Sequence, residues 1–266
     1  MLNLIFFLLS GAGAASLCAT SEGLSFWWLP LFWIGFYLAI TLVFFLGFVI
    51  SIPFISRNPN PEKPDRFSMK YLHFMTNWLF GFLWVRIKRE GFEKLPKTPF
   101  VLVANHISNF DPMVVMAAYP GAILFISKES NFKIPFIGSL IRKAGYLSID
   151  RENGMRALRT LKSAADLVQN EGLSIGIYPE GTRSRSGKLQ EFKDGAFYLA
   201  KKAGVPVVVM ASHNTEKIRM GKHFLPITVT LKVLDVWQPE ELAATPLPEL
   251  AQKSHDLILA ELHETD

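Results

Sequence analysis

The sequence holds one cysteine, Cys18, which excludes an internal disulfide framework and a cysteine-rich zinc site. It has no H-E-x-x-H and no G-x-G-x-x-G, so the usual zinc-hydrolase and dinucleotide-loop readings fall away. Gly181 with Gly187-Lys188 imitates a phosphate loop, but the spacing is five and Leu189 stands where a hydroxyl residue is needed. Charge is also scarce: 19% of residues are charged and 50% are apolar, a mixture unlike that of a disordered chain. The net charge of +5 is too small to argue for nucleic acid, and it suits a surface facing anionic lipid or phosphate.

The shortage of charge is concentrated at the N-terminus. Residues 2–20 carry none, and a helix there is about 28 Å long, close to the thickness of a bilayer core. After Glu22, residues 24–52 form a second uncharged run that opens on Trp27, Trp28 and Trp33, residues suited to a headgroup level. The segment GAGAASLCA offers the small residues of a signal-peptide cleavage site. Against that, no Lys or Arg precedes the apolar run and a longer one follows it. The expectation is a two-helix membrane anchor over residues 1–56. Its connection carries only Glu22. The stretch from Arg57 to Lys97 carries Arg57, Lys63, Arg66, Lys70, Arg86, Lys88, Arg89, Lys94 and Lys97. The positive-inside rule then sets the remainder on the cytoplasmic side of the cell membrane, whether the hairpin crosses or, bent at Pro30, dips in. Residues 71–88 read as an aromatic-rich helix, either lying at the interface or packed in a core.

RNPNPEKPD (57–65) is a turn-forming linker, and a second domain is expected over 66–266. Within it, short β-rich runs at 99–104, 122–127, 145–149, 173–179, 205–211 and 227–236 alternate with helical stretches. Two of those are Arg156–Gln169, with apolar spacing at Leu158, Leu161, Ala165 and Val168, and Leu247–His263. Continuous apolar strands separated by helices indicate an α/β fold, a sheet flanked by helices with its strands buried.

Two strand ends carry candidate chemistry, as expected of α/β sheets. The run 99–104 leads into Asn105-His106-Ile107-Ser108-Asn109-Phe110-Asp111-Pro112. An Asp five residues after a His, across turn-forming residues, can fold back onto one imidazole nitrogen and leave the other as a base. The plain alternative is a histidine in a polar turn with Asp111 capping the next helix. Such a pair can deprotonate a hydroxyl belonging to a substrate; Ser108, on the same turn, is poorly placed to attack. The run 173–179 leads into Glu180-Gly181-Thr182-Arg183-Ser184, where Gly181 allows close backbone approach and Arg183 offers a planar fork to a phosphate. The alternative is an exposed basic loop. Lys128 follows a third strand, with Pro135, Gly138, Gly145 and Arg151 downstream; alone it is a loop lysine.

NHISNFDP and YPEGTRS together resemble the blocks of the 1-acyl-glycerol-3-phosphate acyltransferase family, glycerolipid acyltransferases whose first block is H-x4-D. Lys128 through Arg151 and Val205-Pro206-Val207 match two further blocks in order, while the following SHNTEK matches none. The resemblance implies a mixed α/β sheet of the glycerol-3-phosphate acyltransferase type. It implies His106 as general base and Asp111 as its orienting partner. Lys128, Glu180, Gly181, Thr182 and Arg183 would form the acceptor's phosphate pocket. The implied reaction moves a fatty acyl group from acyl-CoA or acyl-carrier protein to lysophosphatidic acid, with no metal and no cofactor beyond the acyl donor. Glycerol-3-phosphate or another lysophospholipid as acceptor, or a phospholipid-binding protein without catalysis, are the alternatives.

Overall fold

The computed structural model describes residues 2–21, 25–55, 63–184, 188–218 and 226–264. The chain divides into two compact units, Met1–Arg57 and Asn58–Asp266.

The first unit is a pair of helices, α1 (Leu2–Thr20) and α2 (Leu29–Ile55). They pack on each other through rings: Phe7 against Trp33, with centroids 4.8 Å apart, and Phe6 edge-on to Phe44 at 5.3 Å. The Trp33 indole N–H donates to the Phe7 carbonyl at 2.8 Å. Gly11 makes the approach possible, since a β-carbon there would lie 2.8 Å from the Trp33 ring. Most other apolar side chains face outward, including Leu4, Leu8, Leu31, Leu38, Val43 and Ile50. Both helices are long and apolar enough to cross a membrane, and a surface this apolar is compatible with lipid as its solvent. The connection at Glu22 and the linker residues 56–62 lie outside the described residues.

The second unit is built on a seven-stranded sheet. In chain order the elements are α3 (Arg66–Phe82), β1 (Val85–Glu90), β2 (Val101–Ala104), α4 (Asp111–Ala118), β3 (Ile123–Lys128), α5 (Ile137–Lys143), β4 (Leu147–Ile149), α6 (Gly154–Glu171), β5 (Ser174–Ile177), α7 (Gly195–Ala203), β6 (Val207–His213), β7 (Ile227–Trp237), α8 (Pro239–Ala244) and α9 (Leu247–Glu264). The strand order is β1-β7-β6-β2-β5-β3-β4. Every pairing is parallel except β6 with β7, so the sheet is mixed. All four residues of β2 are buried, because both faces of the sheet are covered. On one face Val101, Val103, Ile175 and Val207 meet Leu161, Ala165 and Val168 of α6, Phe197 and Ala200 of α7, and Ile258 of α9. On the other, Phe100 meets Tyr119 at the end of α4.

The expected run 71–88 divides. Its helix begins at Arg66, where the Asp65 carboxylate accepts the Ser68 N–H at 3.0 Å, and stops at Phe82. Trp84 takes φ 53°, and Val-Arg-Ile-Lys then forms an edge strand paired with β7. The reason is tertiary: alternating Val85, Ile87 and Arg86, Lys88 suit a strand with a parallel partner, and that partner lies far along the chain. Helix α3 itself buries Leu72, Met75, Trp78 and Phe80 while Phe67 and Phe74 remain exposed, so it is a packed helix with an aromatic outer face.

Candidate active site

Strand β2 runs directly into Asn105, which is fully buried. Its side-chain amide donates to the Ser212 carbonyl at 3.0 Å, and its oxygen accepts the Ser212 N–H at 2.8 Å. This pair of hydrogen bonds to β6 fixes where the chain leaves the sheet. His106 follows directly. Its main-chain N–H donates to the Glu180 carboxylate at 2.6 Å, and its carbonyl accepts the Ser184 N–H at 2.8 Å. The loop after β2 and the loop after β5 therefore clasp each other, joining the two expected blocks.

Asp111 opens α4 and has no solvent exposure. One carboxylate oxygen faces His106 Nδ1 at 2.7 Å and accepts the N–H groups of Ile107 and Ser108, each at 2.8 Å. The other accepts the hydroxyl of Thr215, which is also fully buried. Asp111 thus folds back on the preceding turn and holds the imidazole through Nδ1. A ring held this way is left with Nε2 as its free nitrogen, able to take a proton from a hydroxyl.

His106 lines a cavity of about 810 Å³. Among the described residues, Lys128, Arg151, Arg183 and Lys193 line it too, against one carboxylate, Asp194. None of these four cations forms an ion pair among the described residues. Phe125, Ile126, Tyr146, Ile149, Leu158 and Leu161 supply apolar wall. Leu158, expected on the buried stripe of α6, is 39% exposed and faces this cavity instead. The space can hold an amphiphile with an anionic head and an apolar tail.

Of the expected phosphate-pocket residues, Lys128, Gly181, Thr182 and Arg183 all line the cavity. Gly181 sits at φ 72°, a left-handed conformation that a side chain would strain. Glu180 differs from expectation. It is buried and absent from the cavity wall, and its two oxygens accept the N–H groups of His106 and Gln190, at 2.6 and 3.2 Å. Burial raises its pKa, and those two bonds offset part of the rise. A motif glutamate looks like a ligand contact in sequence; here its carboxylate ties two loops together. Arg185 and Gly187 lie outside the described residues.

Gly172-Leu173-Ser174-Ile175-Gly176 has the G-x-S-x-G spacing of a nucleophile elbow. Ser174 opens β5, is 2% exposed, and its hydroxyl accepts the Phe100 N–H at 3.3 Å. It is a strand residue, with no access to a substrate. Asn105, Thr215 and Tyr178, by contrast, belong to the site and were not singled out. The polar buried pair of Asn105 with Ser212 could have been sought in the first block, but nothing in SHNTEK marks Thr215.

Fold and site together are those of an α/β acyltransferase. The family model described as Acyltransferase matches residues 86–213. A 1-acyl-sn-glycerol-3-phosphate acyltransferase of Limnanthes douglasii is 29% identical over 77% of this chain and 73% of its own. The chloroplastic enzyme of that name from Brassica napus is 35% identical over 64% of this chain, and the match spans half of that protein. The crystal structure of the 1-acyl-sn-glycerophosphate acyltransferase PlsC of Thermotoga maritima superposes with a TM-score of 0.63 at 25% identity, covering 99% of this chain and 95% of that one. In sequence and in fold the chain is thus similar to the 1-acyl-sn-glycerol-3-phosphate acyltransferases, and these likenesses support that family of glycerolipid acyltransferases.

Proposed function

We propose that this enzyme transfers a fatty acyl group from acyl-CoA or acyl-carrier protein to the free sn-2 hydroxyl of lysophosphatidic acid, giving phosphatidic acid. The observation that carries the reading is the His106–Asp111 pair, 2.7 Å apart, on a cavity with four cations and an apolar wall. His106 Nε2 takes the proton of the acceptor hydroxyl. The oxygen forms a bond to the thioester carbonyl carbon, the C–S bond breaks, and the departing thiolate takes the proton back from the imidazolium. Asp111 holds the ring through Nδ1. Arg183 and Lys128, with Arg151 and Lys193, hold the phosphate. Gly181 and Thr182 shape that end of the pocket. Glu180 braces the base through its main-chain N–H. The steps use only the two substrates and side chains of this chain.

The paired helices α1 and α2 anchor the enzyme where both amphiphilic substrates lie, and the basic stretch from Arg57 to Lys97 favours the cytoplasmic face of the cell membrane. The test is acyl transfer from radiolabelled oleoyl-CoA, and separately oleoyl-acyl-carrier protein, to lysophosphatidic acid by membranes carrying the wild type or His106→Ala. Phosphatidic acid formed by the wild type and lost in the variant is expected. Equal product from both would overturn the role given to His106. Product only with a different lysolipid would overturn the acceptor.

A further inference from the structure

The His106 imidazole lies face to face with the ring of Tyr178, centroids 4.4 Å apart and planes 19° from parallel. Phe125 stacks on Tyr178 in turn, at 5.9 Å and 9°. Gly176 gives Phe125 its place, since a β-carbon there would sit 2.2 Å from the phenyl ring. A bond at Nδ1 alone leaves an imidazole free to swing about that contact. A flat ring against its face removes the swing.

Resting on the reading of His106 as general base, we propose that Tyr178 is a positioning residue of the acyl transfer, whose ring fixes the plane of the imidazole and stabilises the imidazolium formed when Nε2 takes the acceptor's proton. The electron-rich face of an aromatic ring attracts a cation and has no such preference for the neutral form. The contact therefore strengthens as the proton moves. Tyr178 is not itself a proton carrier. Its hydroxyl is buried and has no hydrogen-bond partner among the described residues. Burial, then the nearby Asp111 carboxylate and Tyr146, push its pKa well above the ordinary tyrosine value. Among the described residues, the other ionisable groups around the imidazole are Asp111 and Glu180, with Lys128, Tyr146, Arg151, Arg183, Lys193, Asp194 and Tyr198 around the cavity.

The experiment measures kcat and KM for lysophosphatidic acid, and the pH profile of kcat/KM, in membranes carrying the full-length wild type, Tyr178→Leu, Tyr178→Phe and His106→Ala. Tyr178→Leu is expected to lose about tenfold in kcat with KM within about threefold, and to move the acidic limb of the profile downward by about half a unit to one unit. Tyr178→Phe keeps the ring and should stay within about threefold of wild type in both constants. Two results would overturn the proposal. In one, Tyr178→Leu is folded, has wild-type kcat and has an unmoved acidic limb. In the other, Tyr178→Phe is as impaired as Tyr178→Leu, which would assign the effect to the hydroxyl. An active His106→Ala would instead remove the reading on which the proposal rests. An inactive His106→Ala beside an unaffected Tyr178→Leu would remove the platform alone.

Discussion

Thr215 donates its hydroxyl to Asp111 Oδ1 across 104 residues of sequence, and both residues are fully buried. Asp111 is therefore held from three sides: its own preceding turn, the imidazole it orients, and the exit of β6. Asn105 and Ser212 tie the same two strands one step earlier. The Asp111 carboxylate is set by the pairing of β2 with β6, so its geometry inherits the rigidity of the sheet.

Thr215→Val keeps the shape and removes the donor. The lone pairs of Asp111 Oδ1 then lose their buried partner, at a cost of about 1–3 kcal/mol. Thermal unfolding should show the loss, and kcat should fall by about tenfold as the carboxylate loosens, while Thr215→Ser recovers both. Equal melting temperatures and rates in wild type and Thr215→Val would show that the backbone N–H groups of Ile107 and Ser108 suffice.

Gly176→Ala tests the aromatic stack from behind. The new methyl would lie 2.2 Å from Phe125 Cε1, closer than any contact tolerates. Phe125 must shift, and it carries Tyr178, which carries His106. Overpacking of this kind costs about 1–3 kcal/mol. A lowered melting temperature with a reduced kcat is expected; the double variant with Phe125→Leu, which relieves the overlap, should regain stability.

The strands and the His–Asp pair were legible in the sequence because both signals are local. Runs such as VPVVVMA are buried on both faces and read as continuous apolar segments, and the turn from His106 to Asp111 closes within five residues. The clasp between the two motif loops was legible only as a resemblance. Three features were not. Val85–Glu90 pairs with a strand that begins at Ile227, so its extended state depends on a partner no local window contains. Thr215 and Tyr178 reach the site through sheet order, which sets β6 and β5 on either side of β2. Glu180 sits in a motif whose charge suggests a ligand, and only its burial reveals that it serves the backbone of His106.

The pKa of Glu180 is raised in the folded protein, chiefly by burial. Its contribution to stability is then fully present below the unfolded value of 4.5 and is lost as pH rises through the folded value. Melting temperatures of wild type and Glu180→Gln, measured from acid to neutral pH, should diverge most in favour of wild type at the acid end. A difference that instead grows with pH would show that the ionised form, with its two charge-assisted bonds, is the more stabilising one.

Arg183 and Lys128 reach the same cavity with different chemistry. A guanidinium presents a planar fork that can bind two phosphate oxygens at once, and an ammonium is a point charge. Hydrogen bonds to charged groups contribute about 1.5–3 kcal/mol, or roughly ten- to a hundredfold in affinity. Arg183→Lys keeps the charge and loses the fork. It should raise KM for lysophosphatidic acid by about tenfold and leave kcat nearly unchanged, because the phosphate is bound equally in ground and transition states. Lys128→Arg, by contrast, should be nearly silent. With monoacylglycerol as acceptor, which has no phosphate, the wild type and Arg183→Lys should differ little. An equal defect on both acceptors would assign Arg183 to the loop that clasps His106 through Ser184.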